Sequence, residues 1–230
     1  MMLEVHNLNK SYNKRPVLKN LSLTVNKGEV TCLIGHNRSG KTTLMNAIMH
    51  LIPYESGSVT LDGKPLTVDD FNRISYVPDQ IIMLKQMFIQ EALDYMATYY
   101  TSFSARKAAE LLEFFQLNRE QRISQLSKGN LAKLNLLLGM SLETEYILMD
   151  EPFSGIDLLT REQIAQVFTT ELLNGRGVLI STHEINDIEH LIDKVVLLQS
   201  GSVVREFYPE DVRAEEGKSI LDVMREEYSK

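Results

Sequence analysis

The part of this chain that most constrains its fold is residues 35–42, Gly-His-Asn-Arg-Ser-Gly-Lys-Thr. They follow the pattern glycine, four residues, glycine-lysine-serine/threonine, between an apolar β-rich run at residues 30–34 and a helical pattern at residues 42–51. In this strand-to-helix context, backbone N–H groups and the N-terminal end of the helix surround phosphate oxygens. Lys41 adds a charge for the β- and γ-phosphates, and the hydroxyl of Thr42 is placed to hold Mg²⁺. The stretch therefore predicts a triphosphate site on an α/β fold.

Two further apolar runs predict central strands of a parallel sheet, which are buried on both faces. Residues 146–149 precede the paired carboxylates Asp150 and Glu151, and residues 177–182 precede His183. Because ligands bind at the carboxyl ends of such strands, both carboxylates should point into the binding crevice. One carboxylate suits a Mg²⁺-held water, and the next suits a general base for the attacking water. His183 should emerge at the same edge, in either a structural or a catalytic role.

Composition limits the classes of function. With 230 residues the chain is long enough for one sizeable α/β domain, with room for a smaller subdomain. Its net charge of −7 argues against a nucleic-acid partner held by bulk electrostatics. The one cysteine, Cys32, forms no internal disulfide and no zinc knuckle, and it fits a reducing cytosol. We find no signal-peptide pattern and no run of roughly 18 apolar residues, so we do not expect the chain to cross a membrane by itself.

The character of the chain changes twice along its length. Residues 3–8 alternate like a half-buried strand and residues 17–25 give a second strand pattern, so the opening should be antiparallel β-structure beside the nucleotide core. From residue 88 to about residue 125 the pattern is helical only. We therefore predict an α/β fold with a P-loop NTPase core, whose sheet is mixed, mostly parallel and flanked by helices. The single domain, residues 1–230, should comprise a RecA-like core plus antiparallel β-structure (1–85 and 140–206), an inserted α-helical subdomain (86–139) and a C-terminal helical tail (207–230).

Two features allow two interpretations each. Tyr12 is an aromatic residue in a polar turn region, residues 10–16, where it either covers the sheet edge or offers its ring to a nucleotide base. Residues 81–88 are unusually apolar for a loop, and they form either part of the helical subdomain's core or an adaptable docking surface.

The order of these motifs resembles that of the ATP-binding subunits of ABC (ATP-binding cassette) transporters, from the first strand to about residue 206. Tyr12 matches the adenine-stacking aromatic residue, residues 35–42 the Walker A loop, residues 126–130 the signature, residues 146–150 the Walker B strand, Glu151 the catalytic glutamate, residues 154–157 the D-loop and His183 the switch histidine. The resemblance implies a head-to-tail dimer with two ATP molecules in its interface. Walker A of one chain and the signature of the other would hold each ATP.

The resemblance also implies a set of site residues. ATP would be bound by Tyr12, Gly35, His36, Asn37, Arg38, Ser39, Gly40, Lys41, Thr42, Thr43, Ser127 and Gly129. Lys41, Glu151 and His183 would be catalytic. Mg²⁺ would be held by Thr42, Asp150 and either Asp79 or Gln80. The dimer interface would include Ser127, Lys128, Gly129, Asn130 and Asp157.

Departures from the family pattern narrow the subclass. Arg38 stands where the loop usually has a glycine, which adds a cation beside the phosphates or the opposing signature. Lys128 and Asn130 replace the glycine and glutamine of the commonest signature. Asp79 followed by Gln80 replaces the usual glutamine after Tyr-Val-Pro, so either side chain is a candidate for that role. The sequence is similar in these respects to ATPases of bacterial ABC-2-type exporters, including those that move peptides and antibiotics.

The function that follows from the resemblance is ATP hydrolysis coupled to a separate integral membrane permease, with export of peptides, antibiotics or other amphipathic compounds. The dimer partner would be a second copy or a paralogous ATPase, and no nucleic acid is expected. Such a chain is cytoplasmic and peripheral on the inner face of the bacterial cell membrane. An ATPase of a membrane mechanotransmission or signalling complex would look nearly the same. A soluble ABC ATPase acting on nucleic acid or the ribosome would usually carry paired cassettes, long coiled coils or zinc modules.

Overall fold

A computed structural model of the chain describes residues 1–168, 175–183, 185 and 188–229. Its strands, in chain order, are β1 (Met2–Tyr12), β2 (Arg15–Asn26), β3 (Val30–Ile34), β4 (Ser56–Leu61), β5 (Lys64–Pro65), β6 (Ile74–Val77), β7 (Tyr146–Asp150), β8 (Gly177–Thr182), β9 (Lys194–Gln199) and β10 (Ser202–Phe207). Its helices are α1 (Lys41–Ile48), α2 (Ile89–Tyr99), α3 (Ala105–Phe115), α4 (Lys128–Met140), α5 (Leu158–Phe168), α6 (Pro209–Glu216) and α7 (Ile220–Tyr228). No helix among these residues is long and apolar enough to span a bilayer.

A six-stranded sheet of order β10-β9-β3-β8-β7-β6 forms the centre of the fold. Strands β9, β3, β8, β7 and β6 run parallel, and β10 is antiparallel to β9. All residues of β7 and β8 are buried, as expected for strands covered on both faces. The predicted mixed, mostly parallel sheet is confirmed, and the carboxyl ends of four strands, β3, β6, β7 and β8, meet at one edge.

A second sheet of order β2-β1-β4-β5 is antiparallel throughout. Its inner face alternates as predicted, and Leu3 pairs with both Val25 and Leu61 in the buried layer. The strands are longer than predicted, because pairing continues to Tyr12 opposite Arg15. The polar turn therefore shrinks to residues 13–14, both of which have positive φ.

Three helices, α2, α3 and α4, lie between β6 and β7, in the region predicted to be a helical insertion. Helix α3 begins after the N-cap Ser104, and its buried face consists of Ala108, Leu111, Leu112 and Phe115. Helix α4 returns the chain to the core and contacts β6, α2 and α3. The insertion thus shares one hydrophobic core with one face of the central sheet.

The C-terminal segment folds back onto the central sheet. In α7 the side chains of Ile220 and Val223 are buried, and Leu221 and Met224 are partly buried against the same core. Ser219 and Asp222 form a capping box at the start of this helix. These apolar side chains dock α7 against β9.

Candidate functional site

A cleft of about 540 Å³ opens at the edge of the central sheet where β3, β6, β7 and β8 end. Most of its lining consists of residues predicted from the sequence to bind or hydrolyse nucleotide: Tyr12, Asn37, Arg38, Gly40, Lys41, Thr42, Thr43, Asp79, Glu151 and His183. Val17 and Ser154 complete it. Parallel strands bring these distant segments together because their carboxyl ends share one edge.

The ammonium group of Lys41 is held by three oxygen atoms. Its Nζ donates to the carbonyl oxygen of Gly35 at 2.6 Å and to that of His36 at 3.4 Å. It also forms an ion pair with Glu151 Oε1 at 3.0 Å. The lysine is 5% exposed, so this positive charge is balanced inside the site by a carboxylate and by loop carbonyls.

Glu151 joins the lysine to the histidine of the cleft. Its second carboxylate oxygen, Oε2, lies 2.8 Å from Nδ1 of His183. Its backbone has a left-handed φ of 49°, and its N–H donates to both the carbonyl and the hydroxyl oxygen of Ser181. The turn after β7 therefore fixes Glu151 between Lys41 and His183, with one oxygen toward each.

Asp150 lies beneath the cleft at the end of β7 and is 1% exposed. Its Oδ1 accepts a hydrogen bond from the hydroxyl of Ser181, whereas Oδ2 is buried and has no hydrogen-bond partner among the described residues. A buried carboxylate oxygen without a donor is suited to a cation. The site is thus deficient in positive charge on the Asp150 side.

Asp79, rather than Gln80, lines the cleft. Burial raises the pKa of Asp79, and the nearby carboxylates of Asp150 and Glu151 raise it further. Crowded carboxylates of this kind fit Mg²⁺, which proteins usually hold through one or two carboxylates together with substrate phosphates. The described residues contain no group of three or more His, Cys, Asp or Glu side chains that could hold a metal ion.

Arg38 has the left-handed backbone that its glycine-like position requires, with φ of 71°. Its side chain is exposed and lines the cleft, and it forms no ion pair or hydrogen bond with the part of the chain that the structure describes. A non-glycine residue held at positive φ costs free energy, and such strain concentrates at functional sites. The loop therefore carries an unneutralised cation beside Lys41.

Tyr12 lies at the rim of the cleft, at the end of β1. Its ring is half-exposed, and the Nζ of Lys10 lies 4.9 Å from the ring centroid. The ring is thus available to the cleft and carries a positive charge on one side.

The signature residues lie elsewhere. Ser127 is the N-cap of α4 and accepts a hydrogen bond from the N–H of Asn130. Gly129 packs so closely on α5 that a Cβ there would lie 2.9 Å from Oγ1 of Thr160. That hydroxyl in turn donates to Asp157, which caps α5. Of the predicted interface residues, which also include exposed Lys128, none lines the cleft of its own chain.

Three residues at or behind the cleft were not predicted from the sequence: Val17, Ser181 and Tyr228. Ser181 had a recognisable signal, because it and Thr182 are hydroxyl residues at the end of a strand whose preceding residues are apolar. Val17 lies early in β2, where alternation alone gives no sign of a ligand. Tyr228 lies in a charged tail helix, and its hydroxyl donates to the carbonyl oxygen of Ile34.

Comparison with known proteins identifies relatives over the whole chain. A family model described as ABC transporter matches residues 18–154. The ABC transporter ATP-binding protein YtrB of Bacillus subtilis is 30% identical, over 100% of this chain and 75% of YtrB. The lantibiotic transport ATP-binding protein SrtF of Streptococcus pyogenes is 28% identical, over 89% of this chain and 90% of SrtF.

Solved structures give the same result. An ATP-binding subunit of an ABC transporter has a TM-score of 0.86 at 27% identity, with both chains covered over 100% of their length. The dimeric, post-hydrolysis structure of the ATP-binding cassette MJ0796, bound to ADP and Pi, has a TM-score of 0.77 at 25% identity, over 90% of this chain and 98% of that one. Since the family model covers more than half of the 230 residues and the likeness to YtrB spans the chain, the chain belongs to the ABC transporter family, as an ATP-binding cassette.

Proposed function

We propose that this chain hydrolyses ATP in the cleft described above and that hydrolysis drives a separate membrane permease. The observation that carries the proposal is the contact of Glu151 with both Lys41 and His183, beside the donor-deficient Asp150. Lys41 binds the β- and γ-phosphates, and Glu151 orients and deprotonates the attacking water. His183, hydrogen-bonded to Glu151, contacts the γ-phosphate end of the site.

The remaining roles follow from position in the cleft. Tyr12 stacks on the adenine base, and the loop residues from Gly35 to Thr43 surround the phosphates. Thr42, Asp150 and Asp79 would hold Mg²⁺, which would supply positive charge beside the phosphates. We assign the role of the usual glutamine to Asp79 because Gln80 does not line the cleft.

The direct test of hydrolysis is the Glu151→Gln variant. It should bind ATP but lose ATPase activity by a factor on the order of 10² to 10⁴, because a positioned base is removed. Glu143→Gln is a matched control, since Glu143 is an exposed carboxylate near Lys107 and outside the cleft. Equal phosphate release by wild-type and Glu151→Gln protein would refute the assignment.

The site is completed by a second chain. Support comes from Ser127 and Gly129, which lie outside the cleft of their own chain, and from the dimeric form of the MJ0796 cassette. With the signature at the N-terminus of α4, the partner's α4 would direct backbone N–H groups at the γ-phosphate. The chain therefore forms a head-to-tail dimer with itself or with a paralogous ATPase.

Mixed dimers of two differently tagged chains test this arrangement. Pairing Lys41→Ala in one chain with Ser127→Arg in the other ruins one trans site twice and leaves the second intact. Pairing a doubly mutated chain with a wild-type chain damages both trans sites once. The first mixture should retain more ATPase activity, and higher activity in the second would contradict sites completed in trans.

An apolar groove of about 540 Å³ between the central sheet and the helical insertion is the proposed docking surface for the permease. The side chains of the loop at residues 81–88 lie partly in the core and partly at the surface of this groove. Ile81, Met83 and Met87 pack against the core, while Ile82 is 76% exposed at the groove. An exposed apolar surface of this kind marks a protein contact. Docking there would keep the chain at the inner face of the cell membrane.

Binding of a permease is tested by affinity purification of the tagged chain from detergent-solubilised membranes. Ile82→Asp should lose the integral membrane protein that the wild-type chain retains, with ATP binding unchanged. Val68→Asp is the matched control, because Val68 is 83% exposed and lies outside the groove lining. Retention of the same protein by Ile82→Asp would exclude this surface.

We further propose export of peptides, antibiotics or similar amphipathic compounds. The support is likeness to SrtF, which is described as a lantibiotic transport ATP-binding protein. ATPase activity of the chain reconstituted with its copurified permease should rise when such a compound is added. No stimulation by lantibiotic-type peptides would count against this substrate class while leaving the ATPase assignment intact.

A further inference from the structure

The C-terminal helix reaches the base of the phosphate-binding loop through one side chain. Tyr228, the last residue of α7, donates from its hydroxyl to the carbonyl oxygen of Ile34 at 3.0 Å. The carbonyl oxygen of Leu198 in β9 lies 3.5 Å from the same hydroxyl. The ring of Tyr228 lies 4.9 Å from that of His36, between centroids. One tail residue thus contacts the end of β3, its neighbour strand and the loop itself.

The backbone that Tyr228 contacts is the backbone that holds Lys41. Gly35 and His36, directly after Ile34, supply the two carbonyl oxygens that accept from Lys41 Nζ. The carbonyl of His36 also accepts from the N–H of Ser39, which closes the loop. A small displacement of residues 34–36 would therefore move the acceptors that orient the phosphate-binding ammonium group.

The strand ladder alone does not fix this position. Strand β3 is paired on both sides, but its last paired residue is Ile34, opposite Thr182 of β8 and Leu197 of β9. Gly35 continues past the ladder and packs so closely that a Cβ would lie 2.6 Å from the carbonyl oxygen of Leu198. Tyr228 acts at the point where regular pairing ends and the loop begins.

Helix α7 is anchored well enough to act as a support. Its apolar side chains Ile220 and Val223 are buried, and Glu227 in the same helix forms an ion pair at 3.7 Å with Arg205 of β10. Burial, with a smaller contribution from Cys32, raises the pKa of Tyr228 to about 12. The hydroxyl therefore stays protonated at neutral pH and remains a donor.

We propose that Tyr228 is a positioning residue for the phosphate-binding loop, through which α7 sets the geometry of Lys41 for nucleotide phosphates. The inference rests on the proposed ATP-binding function. It assigns to the C-terminal helix a part in nucleotide affinity, although none of its residues lines the cleft.

The test is the affinity of monomeric protein for ATP in the Tyr228→Phe variant, measured by calorimetry in EDTA. Phenylalanine keeps the ring against His36 and removes only the hydroxyl. We expect ATP binding to weaken by roughly two- to ten-fold, the range of one neutral hydrogen bond. Tyr208→Phe is the matched control, because Tyr208 lies in the same C-terminal segment and its hydroxyl donates to Glu29, at 3.4 Å, rather than to the loop. That variant should bind ATP as the wild type does.

Thermal unfolding of each variant separates positioning from folding. A purely structural role would lower the melting temperature of Tyr228→Phe and leave the ATP affinity of the folded protein unchanged, which would overturn the inference. An equal loss of affinity in Tyr208→Phe would also overturn it, since the effect would then be general to the tail. Failure of the wild-type protein to bind ATP would instead refute the proposed function, so the same titration distinguishes the two failures.

Discussion

The ion pair between Lys41 and Glu151 places the carboxylate where a nucleotide phosphate would be. If Lys41 binds the β- and γ-phosphates as proposed, ATP has to displace Glu151 first. Glu151→Gln removes the negative charge of the competing group while keeping its shape. We expect this variant to bind ATP more tightly than the wild type, in addition to losing hydrolysis.

The size of the gain follows from the burial of the pair. Lys41 and Glu151 are 5% and 13% exposed and 3.0 Å apart, so water screens them little. A hydrogen bond to a charged group contributes about 1.5–3 kcal/mol, which corresponds to roughly 10- to 150-fold in affinity. Since the glutamine oxygen still accepts a hydrogen bond from Lys41, the lower end of this range, roughly ten-fold, is expected.

The assay is titration of ATP into monomeric protein in EDTA, which excludes hydrolysis and Mg²⁺-dependent closure. Asp79→Asn is the matched control. Asp79 lines the same cleft, but its carboxylate forms no ion pair with Lys41. It should tighten ATP binding less than Glu151→Gln does, through reduced general repulsion. In a Lys41→Ala background the gain from Glu151→Gln should shrink to that of Asp79→Asn. An undiminished gain without the lysine, or no gain at all, would refute the competition.

Three further changes test other parts of the chain. Tyr12→Ala should weaken ATP binding by roughly ten-fold or more and Tyr12→Phe should change it little, because stacking contributes about 1–3 kcal/mol per base; unchanged affinity in the alanine variant would make Tyr12 a sheet-edge residue. Hydrogen bonds from Arg73, then Lys27, hold the pKa of Glu145 at about 2 instead of 4.5. A carboxyl group with a depressed pKa stabilises the fold fully above pH 4.5, and this contribution is lost as the pH falls from 4.5 toward 2. The melting-temperature advantage of wild type over Glu145→Gln should therefore shrink over that interval; an advantage independent of pH would contradict this. Arg38→Gly should raise the melting temperature, because glycine adopts the positive φ of this position without strain. It should also weaken the binding of ATP more than that of ADP, because a cation is removed. Equal losses of affinity for both nucleotides would contradict a contact between Arg38 and the γ-phosphate.

Much of the fold could be predicted from the sequence because buried parallel strands have continuous apolar sequences. Residues 146–149 and 177–182 are such runs, and the polar residues after them, Glu151 and His183, were placed at one edge by the general rule for parallel strands. The rule gives the edge but not the pairing. Contact of Glu151 with Lys41 depends on the strand order, in which β8 lies between β3 and β7, and no local pattern encodes that order.

For the irregular segments the sequence left two interpretations open. The sequence left Asp79 and Gln80 equivalent, since residues after β6 have neither helical nor strand periodicity; in the folded chain Asp79 lines the cleft. Residues 81–88 divide between two environments, because Ile81 packs against the core while Ile82 is exposed, and docking at this loop stays a prediction. The direction of each side chain in such a loop depends on the local backbone conformation, which composition does not reveal.

Tyr228 and Glu151 contact the two ends of the phosphate-binding loop, at Ile34 and at Lys41, and their expected effects on ATP binding have opposite signs. Glu151 forms an ion pair with Lys41 that phosphate has to displace, so removal of the Glu151 charge should favour nucleotide binding. Tyr228 supports the Ile34 carbonyl and the loop behind Lys41 and need not move, so loss of its hydroxyl disfavours nucleotide. General loosening of the loop would shift affinity in one direction for both variants. Tighter binding in Glu151→Gln together with weaker binding in Tyr228→Phe therefore requires that one contact compete with phosphate and the other prepare its site.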